Sequence, residues 1–71
     1  MTPALGECLS RRVTWVATAD VFHPWTADVE GARWRLRIND FPAESLYTLF
    51  IDDTPIGDID DWPAPWRRSE R

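Results

Sequence analysis

The sequence predicts an α+β fold in which one N-terminal amphipathic helix packs on a small antiparallel β-meander of three to four strands. Three observations predict it: apolar residues recur at helical spacing near the N-terminus, the spacing changes to two from Trp25 onward, and turn residues separate the later apolar runs. With 71 residues, 44% of them apolar, the chain is long enough for one domain. We expect residues 1–66 to form that domain and residues 67–71 to form a basic, disordered tail.

The helix is predicted to begin at Thr2 and Pro3, because a hydroxyl caps the first turn and proline lacks the N–H that would be unsatisfied there. A helical wheel of about four turns collects one apolar face, formed by Leu5, Leu9, Val13 and Val16 with Cys8 at its margin. The alternative is a strand over residues 12–18, which are rich in β-branched side chains. We favour the helix, since a small sheet needs an element to cover its inner face.

A β-hairpin is predicted over residues 25–29 and 32–38, where apolar and polar residues alternate. Glu30 and Gly31 join the strands, and glycine supplies the positive φ that a two-residue turn requires. The turn sets the register, which pairs Val29 with Ala32, Asp28 with Arg33, Ala27 with Trp34, Thr26 with Arg35 and Trp25 with Leu36. Apolar partners then share one face, and this consistency fixes the register.

Two more strands are predicted after a loop at residues 39–45. Residues 46–51 are apolar on both faces and are expected to form a central strand. Asp52 and Asp53 form a second tight turn, and residues 54–59 return with Leu49 opposite Ile56. Pro55 predicts that this last strand lies at an edge, because proline cannot donate to a neighbouring strand.

The segment from Asp60 to Trp66 contains two prolines and is predicted to be extended. Two roles stay open for Trp62 and Trp66. They fold back over the sheet as part of a small core, or they remain exposed as binding anchors.

Charge and cysteine content limit the classes of function. Twelve acidic residues against eight basic ones give a net charge of -4, the wrong sign for a general nucleic-acid or membrane-surface binder. The single thiol, Cys8, cannot form an internal disulfide, so we expect a cytoplasmic protein and an inert, buried cysteine. We expect neither export nor membrane insertion, because the N-terminus lacks a signal-peptide pattern and no long apolar stretch follows.

Several side chains could carry chemistry. Carboxylates suit hard cations, and a metal-assisted hydrolase using Asp52, Asp53, Asp58, Asp60 and Asp61 is the alternative function. Their spacing does not match a calcium loop, so we predict no metal ligand and no cofactor, and favour a solvated acidic surface. No pattern ties His23 to a nucleophile, which predicts a packed junction residue rather than a catalytic one.

Arg33, Arg35 and Arg37 share one face of the hairpin and could contact phosphates. The negative net charge and the opposing Asp28 favour an ordinary solvent face with cross-strand ion pairs, and nucleic acid is not an expected partner.

The acidic, tryptophan-containing C-terminal half is the predicted functional surface. It combines carboxylates with aromatic anchors on a preordered backbone, as in many protein-recognition surfaces, through Asp58, Asp60, Asp61, Trp62 and Trp66. The sequence therefore predicts a small non-catalytic protein-binding or regulatory module. Its expected partner is a basic protein, or a second copy in an obligate homodimer with a structural role.

Overall fold

The computed structural model describes residues 4–69, which form one helix and a single six-stranded sheet. The elements, in chain order, are α1 (Leu5–Ser10), β1 (Val13–Ala17), β2 (Trp25–Val29), β3 (Ala32–Ile38), β4 (Tyr47–Ile51), β5 (Thr54–Ile59) and β6 (Trp66–Ser69). The strands lie in the order β5-β4-β3-β2-β1-β6. Neighbouring strands are antiparallel except β1 and β6, which are parallel, so the sheet is mixed.

The predicted α+β fold, a helix packed on a three- to four-stranded meander, is wrong. The sheet has six strands, and α1 ends at Ser10 after less than two turns. Residues 13–17 form β1, which was the strand alternative for this segment. Thr2 and Pro3, where the helix was predicted to begin, lie outside the described residues.

Burial of Trp15 explains why β1 is a strand. Successive side chains of a strand point to opposite faces, so Val13 and Trp15 share the inner face, where they are 2% and 0% exposed. On the predicted helix, Trp15 would fall outside the apolar stripe. Burying a tryptophan removes more apolar surface from water than burying any aliphatic side chain, and the β-branched neighbours also favour the strand.

The predicted β2–β3 hairpin is confirmed with its register. All five predicted pairs occur, from Trp25 opposite Leu36 to Val29 opposite Ala32. Both turn residues have positive φ, 51° at Glu30 and 84° at Gly31, as a two-residue turn that follows the twist of the strands requires.

The β4–β5 hairpin differs from its prediction by one residue. Asp52 and Asp53 form the tight turn, with φ of 49° and 70°. A bulge at Leu49/Phe50 then shifts the pairing, so that Leu49 lies opposite Gly57 instead of Ile56. β5 is an edge strand, as Pro55 predicts.

The chain returns to the sheet after the proline-rich segment. Trp66–Ser69 forms β6, which pairs with β1 in parallel, with Val13 opposite Trp66 and Val16 opposite Ser69. The sequence predicts a disordered tail from residue 67, whereas residues 67–69 belong to this strand; residues 70–71 lie outside the described part of the chain. A parallel pairing between strands so distant in sequence leaves no local signal to predict it.

The sheet is strongly curved. Residues 60–65 connect the end of β5 to the start of β6, although these are the two edge strands. This connection reaches at most about 25 Å. Five strand spacings in a flat sheet already measure about 24 Å, before the offset along the strands is added. The edges must therefore curl toward each other around the inner face.

Helix α1 packs against both edges of the curved sheet. Leu5 contacts Gly57 on β5, and Trp66 Nε1 on β6 donates a hydrogen bond of 3.0 Å to the Cys8 carbonyl. The enclosed core is built around three buried tryptophans; its buried members are Cys8, Val13, Trp15, Ala27, Trp34, Leu36, Leu49, Ile51, Ile59 and Trp66.

Gly57 provides the space that Leu5 occupies, and its replacement tests the packing of α1 against β5. A Cβ at this position would lie 2.7 Å from Leu5 Cδ2, so the Leu5 side chain must move, and we expect Gly57→Ala to lower the free energy of unfolding by about 1 kcal/mol through overpacking. In urea unfolding, the double variant Gly57→Ala/Leu5→Ala is expected to lose less stability than the sum of the single variants. Additive losses would show that the two residues are not in contact.

Candidate protein interface at one end of the sheet

The two ends of the sheet differ in construction. One end, here the turn end, carries α1 and the two tight turns at residues 30–31 and 52–53. The other end, here the loop end, carries the β1–β2 loop (residues 18–24), the β3–β4 loop (residues 39–46) and the start of the connection at residues 60–65.

The loop end carries all of the large apolar side chains that are exposed within residues 4–69. They are Val21, Phe22, Ile38 and Phe41, with exposures of 75%, 67%, 42% and 54%. A backbone hydrogen bond of 2.9 Å from Ile38 N to Phe22 O joins the β1–β2 loop to the end of β3, which leads into the β3–β4 loop. Apolar side chains collected at one place on a small protein mark an interaction site more often than the same residues scattered singly.

Partly exposed aromatic rings extend this apolar surface onto the inner face. Ile38 lies opposite Tyr47 in the β3–β4 pairing. The rings of Tyr47 and Trp25 pack edge-on against Trp62, with centroid distances of 6.3 and 5.6 Å. Ile38 and these partly exposed rings therefore form an apolar surface on the inner face beside the loop end.

Asp20 fixes the backbone that presents Phe22. Its Oδ1 accepts hydrogen bonds from Phe22 N (2.9 Å) and His23 N (3.2 Å), and Thr18 Oγ1 donates to His23 O (2.6 Å). The bond from Phe22 N to the charged carboxylate is the largest cause of a lowered Asp20 pKa, to which the His23 contacts add. Phe22 is thus exposed on an ordered turn, which reduces the entropy lost on binding.

The lowered pKa predicts how the β1–β2 loop responds to acid. An aspartate in an unfolded chain titrates at about pH 3.9, and the folded pKa lies below that, so ionised Asp20 stabilises the loop above this pH. The stabilisation is lost as the pH falls through the folded pKa. We expect the amide resonances of Phe22 and His23 to titrate below pH 3.9 in NMR spectra. Asp20→Asn, which keeps an acceptor oxygen, should abolish this titration. If the amide resonances of this variant still titrate with the same midpoint pH, the titration belongs to another group.

A chain of side-chain hydrogen bonds holds the β3–β4 loop. Asn39 Nδ2 donates to Thr48 Oγ1, which donates to Asp58 Oδ1, both at 2.8 Å. The loop is closed further by Asn39 N to Leu46 O at 3.0 Å. Thr48, the residue that links the two hydrogen bonds, is buried, with 7% of its surface exposed. Phe41, two residues after Asn39, therefore lies on a loop segment that these hydrogen bonds hold in place.

Charge is distributed unevenly between the two ends. The arginine–carboxylate pairs within residues 4–69 all lie at the turn end: Arg11–Glu30 (2.6 Å), Arg33–Asp28 (3.7 Å) and Arg35–Asp53. At the loop end, no arginine of the same range pairs with Asp40, Glu44, Asp58, Asp60 or Asp61. The carboxylates at the loop end therefore make no arginine ion pair within residues 4–69, although Arg37 lies beside Glu44 and Asp58 there.

The predicted site residues have different surroundings. Asp60, Asp61 and Trp62 lie in the connection that starts at the loop end; both carboxylates are exposed and the indole is half-buried. Asp58 is exposed on β5 and bound by Thr48. Trp66 is 3% exposed and belongs to the core, so its ring does not reach the surface.

Sequence reasoning missed Val21, Phe22, Ile38 and Phe41. A usable signal was present for two of them: Phe22 and Phe41 are large aromatic residues beside or near a proline, in segments without periodicity. Only the arrangement of the strands in the sheet brings them to the same end.

The five aspartates of the hydrolase alternative do not converge. Asp52 and Asp53 lie at the turn end. Asp58 lies near the opposite end of β5, and Asp60 and Asp61 follow that strand. Within residues 4–69, no three histidine, cysteine, aspartate or glutamate side chains are grouped closely enough to hold a metal ion.

The three arginines on one face of the β2–β3 hairpin interact with groups of the protein itself. Arg33 and Arg35 pair with carboxylates, and Arg37 donates to Asn39 Oδ1 and lies over the Phe50 ring, 5.6 Å from its centroid. Cys8 is buried in the core, and this burial raises the pKa of its thiol, which disfavours the reactive thiolate.

Comparisons of the chain with protein-family models, curated proteins and solved structures return no match. In the part of the chain that the structure describes, no helix is long and apolar enough to cross a membrane.

Proposed function

We propose that this protein is a small non-catalytic binding module that docks on a basic protein through the loop end. One observation carries the proposal: every large apolar side chain exposed within residues 4–69 lies there, on two loops and the end of β3, to which the β1–β2 loop is hydrogen-bonded. Phe22 and Phe41 are the proposed anchors, because aromatic side chains that enter a partner's pockets contribute most of the free energy of association.

Charge supports the choice of a basic partner. The carboxylates at this end, among them Asp60 and Asp61, have no arginine partner in the described range, whereas Asp28, Glu30 and Asp53 at the turn end each have one. Unneutralised charge around an apolar centre speeds the encounter with an oppositely charged surface and disfavours other acidic proteins. In this proposal the protein acts in the cytoplasm, as its single buried cysteine leads us to expect.

Site-specific photo-crosslinking in the native cell tests this proposal. A photoreactive phenylalanine analogue is placed at position 41 or 21 of the loop end, and at position 30 of the turn end as the control. We expect both loop-end positions to capture one common, basic protein that position 30 does not capture. When the crosslinking is repeated in a cell lysate, capture should fall steeply at high salt, because screening weakens the long-range attraction.

Three results would contradict the proposal. Equal capture from position 30 would show that the loop end is not the docking surface. An acidic or neutral partner would remove the role of the carboxylates. A crosslinked species containing two copies of this chain would replace the basic partner with a homodimer.

A further inference from the structure

An arginine of the chain itself already lies on the aromatic part of the loop-end surface. The Cζ atom of Arg68 is 4.5 Å from the centroid of the Trp62 ring and 5.8 Å from that of the Trp25 ring. Both distances fall within the range of about 6 Å in which the face of an aromatic ring attracts a cation. Arg68 is exposed on the edge strand β6, and no carboxylate within residues 4–69 pairs with it.

The ring that receives this cation is held in a fixed orientation. Trp62 Nε1 donates a hydrogen bond of 3.0 Å to the Trp66 carbonyl. Trp15, Trp25, Tyr47 and Trp66 surround the indole edge-on, with centroid distances between 5.6 and 6.4 Å. Because its orientation is set by these neighbours, Trp62 offers a cation-binding face without further ordering.

We propose that the face formed by Trp62 and Trp25 is a receptor for an arginine side chain of the basic partner, and that Arg68 is an internal occupant displaced on binding. This inference rests on the proposed function and specifies the chemistry of its partner. A partner arginine gains the same two ring faces and, in addition, the nearby negative charge of Asp60 and Asp61, which directly precede Trp62 in the chain. Arg68 makes no ion pair with either carboxylate.

Arginine fits this face better than lysine does. Its planar guanidinium stacks on aromatic rings and is more weakly hydrated than the lysine ammonium, so less solvation is lost on contact. Displacing Arg68 weakens the binding of a partner arginine only slightly, because losing an exposed cation–π contact changes the binding equilibrium by only about two- to five-fold.

An NMR titration with short basic peptides tests the inference. The probes are the peptide amide Gly-Arg-Gly-Arg-Gly and its lysine counterpart, added to the full-length 15N-labelled chain. We expect the arginine peptide to shift the indole N–H resonances of Trp62 and Trp25, and to do so at lower concentration than the lysine peptide. In Arg68→Ala, the arginine peptide should bind about two- to five-fold more tightly than in the wild type, because the competing occupant is gone.

The matched control is Arg67→Ala, which removes the same charge from the opposite face of the same strand. A gain equal to that of Arg68→Ala would overturn the inference, because charge alone would explain it. Shifts confined to the Phe22 and Phe41 amides, with unchanged indole resonances, would also overturn it while supporting the proposed function. No shift anywhere at the loop end, in either variant or the wild type, would count against both.

Discussion

Replacing Trp66 with alanine is expected to unfold most of the protein at room temperature. The ring is 3% exposed, packs against Trp15 with centroids 4.9 Å apart, and donates its N–H to the Cys8 carbonyl at 3.0 Å. Truncating a buried tryptophan costs about 3–5 kcal/mol. A domain of this size rarely has much more stability than that to lose. Circular dichroism with urea unfolding measures the effect.

Arg67→Ala on the same strand is the control for this experiment. Its side chain is exposed on the outer face, so its loss should leave the free energy of unfolding within about 0.5 kcal/mol of the wild type. A Trp66→Ala variant that unfolds cooperatively at a similar urea concentration would contradict the parallel packing of β6 on β1.

Thr48→Val is expected to lower the free energy of unfolding by about 1–2 kcal/mol, with a fall in Tm of roughly 5–15 °C. Valine has nearly the same shape as threonine, so packing is kept. The lost hydroxyl leaves Asn39 Nδ2 without its acceptor and Asp58 Oδ1 without its donor. Thermal unfolding measures the loss, and the amide resonance of Phe41 should broaden because its loop loses an anchor.

Thr14→Val provides the matched control, since Thr14 is exposed on β1 and its hydroxyl makes no side-chain hydrogen bond within residues 4–69. Its Tm should stay within a few degrees of the wild-type value. Equal losses in the two variants would show that β-sheet propensity, and not the hydrogen-bond chain, sets the result.

The β2–β3 hairpin was predictable because its signals are local. Alternation on both strands and Gly31 in the turn specify one register without reference to the rest of the chain. The secondary structure of residues 13–17 was not predictable, because the segment continues a helical apolar stripe and is also rich in the β-branched residues that favour a strand. The choice depends on the pairing of β1 with β6, which involves residues more than fifty positions away.

The candidate site was predictable only in part, for the same reason. The carboxylates and Trp62 lie in one continuous segment, so composition was enough to find them. Trp66 lies in that segment too, yet it is buried, because its strand pairs with β1. Phe22 and Phe41 lie on loops separated in sequence, and their exposure follows from how the sheet brings the loops together.

The affinity of the captured partner for Phe22→Ser/Phe41→Ser tests the docking surface most directly. Isothermal titration calorimetry on the purified partner measures it, with Thr14→Ser/Thr54→Ser, at exposed and uncharged positions outside the loop end, as the control. If the loop end is the interface, the aromatic double variant should bind at least about 30-fold more weakly while its Tm stays near the wild-type value, because each anchor contributes about 1–2 kcal/mol or more. Binding within two-fold of the wild type would contradict the account.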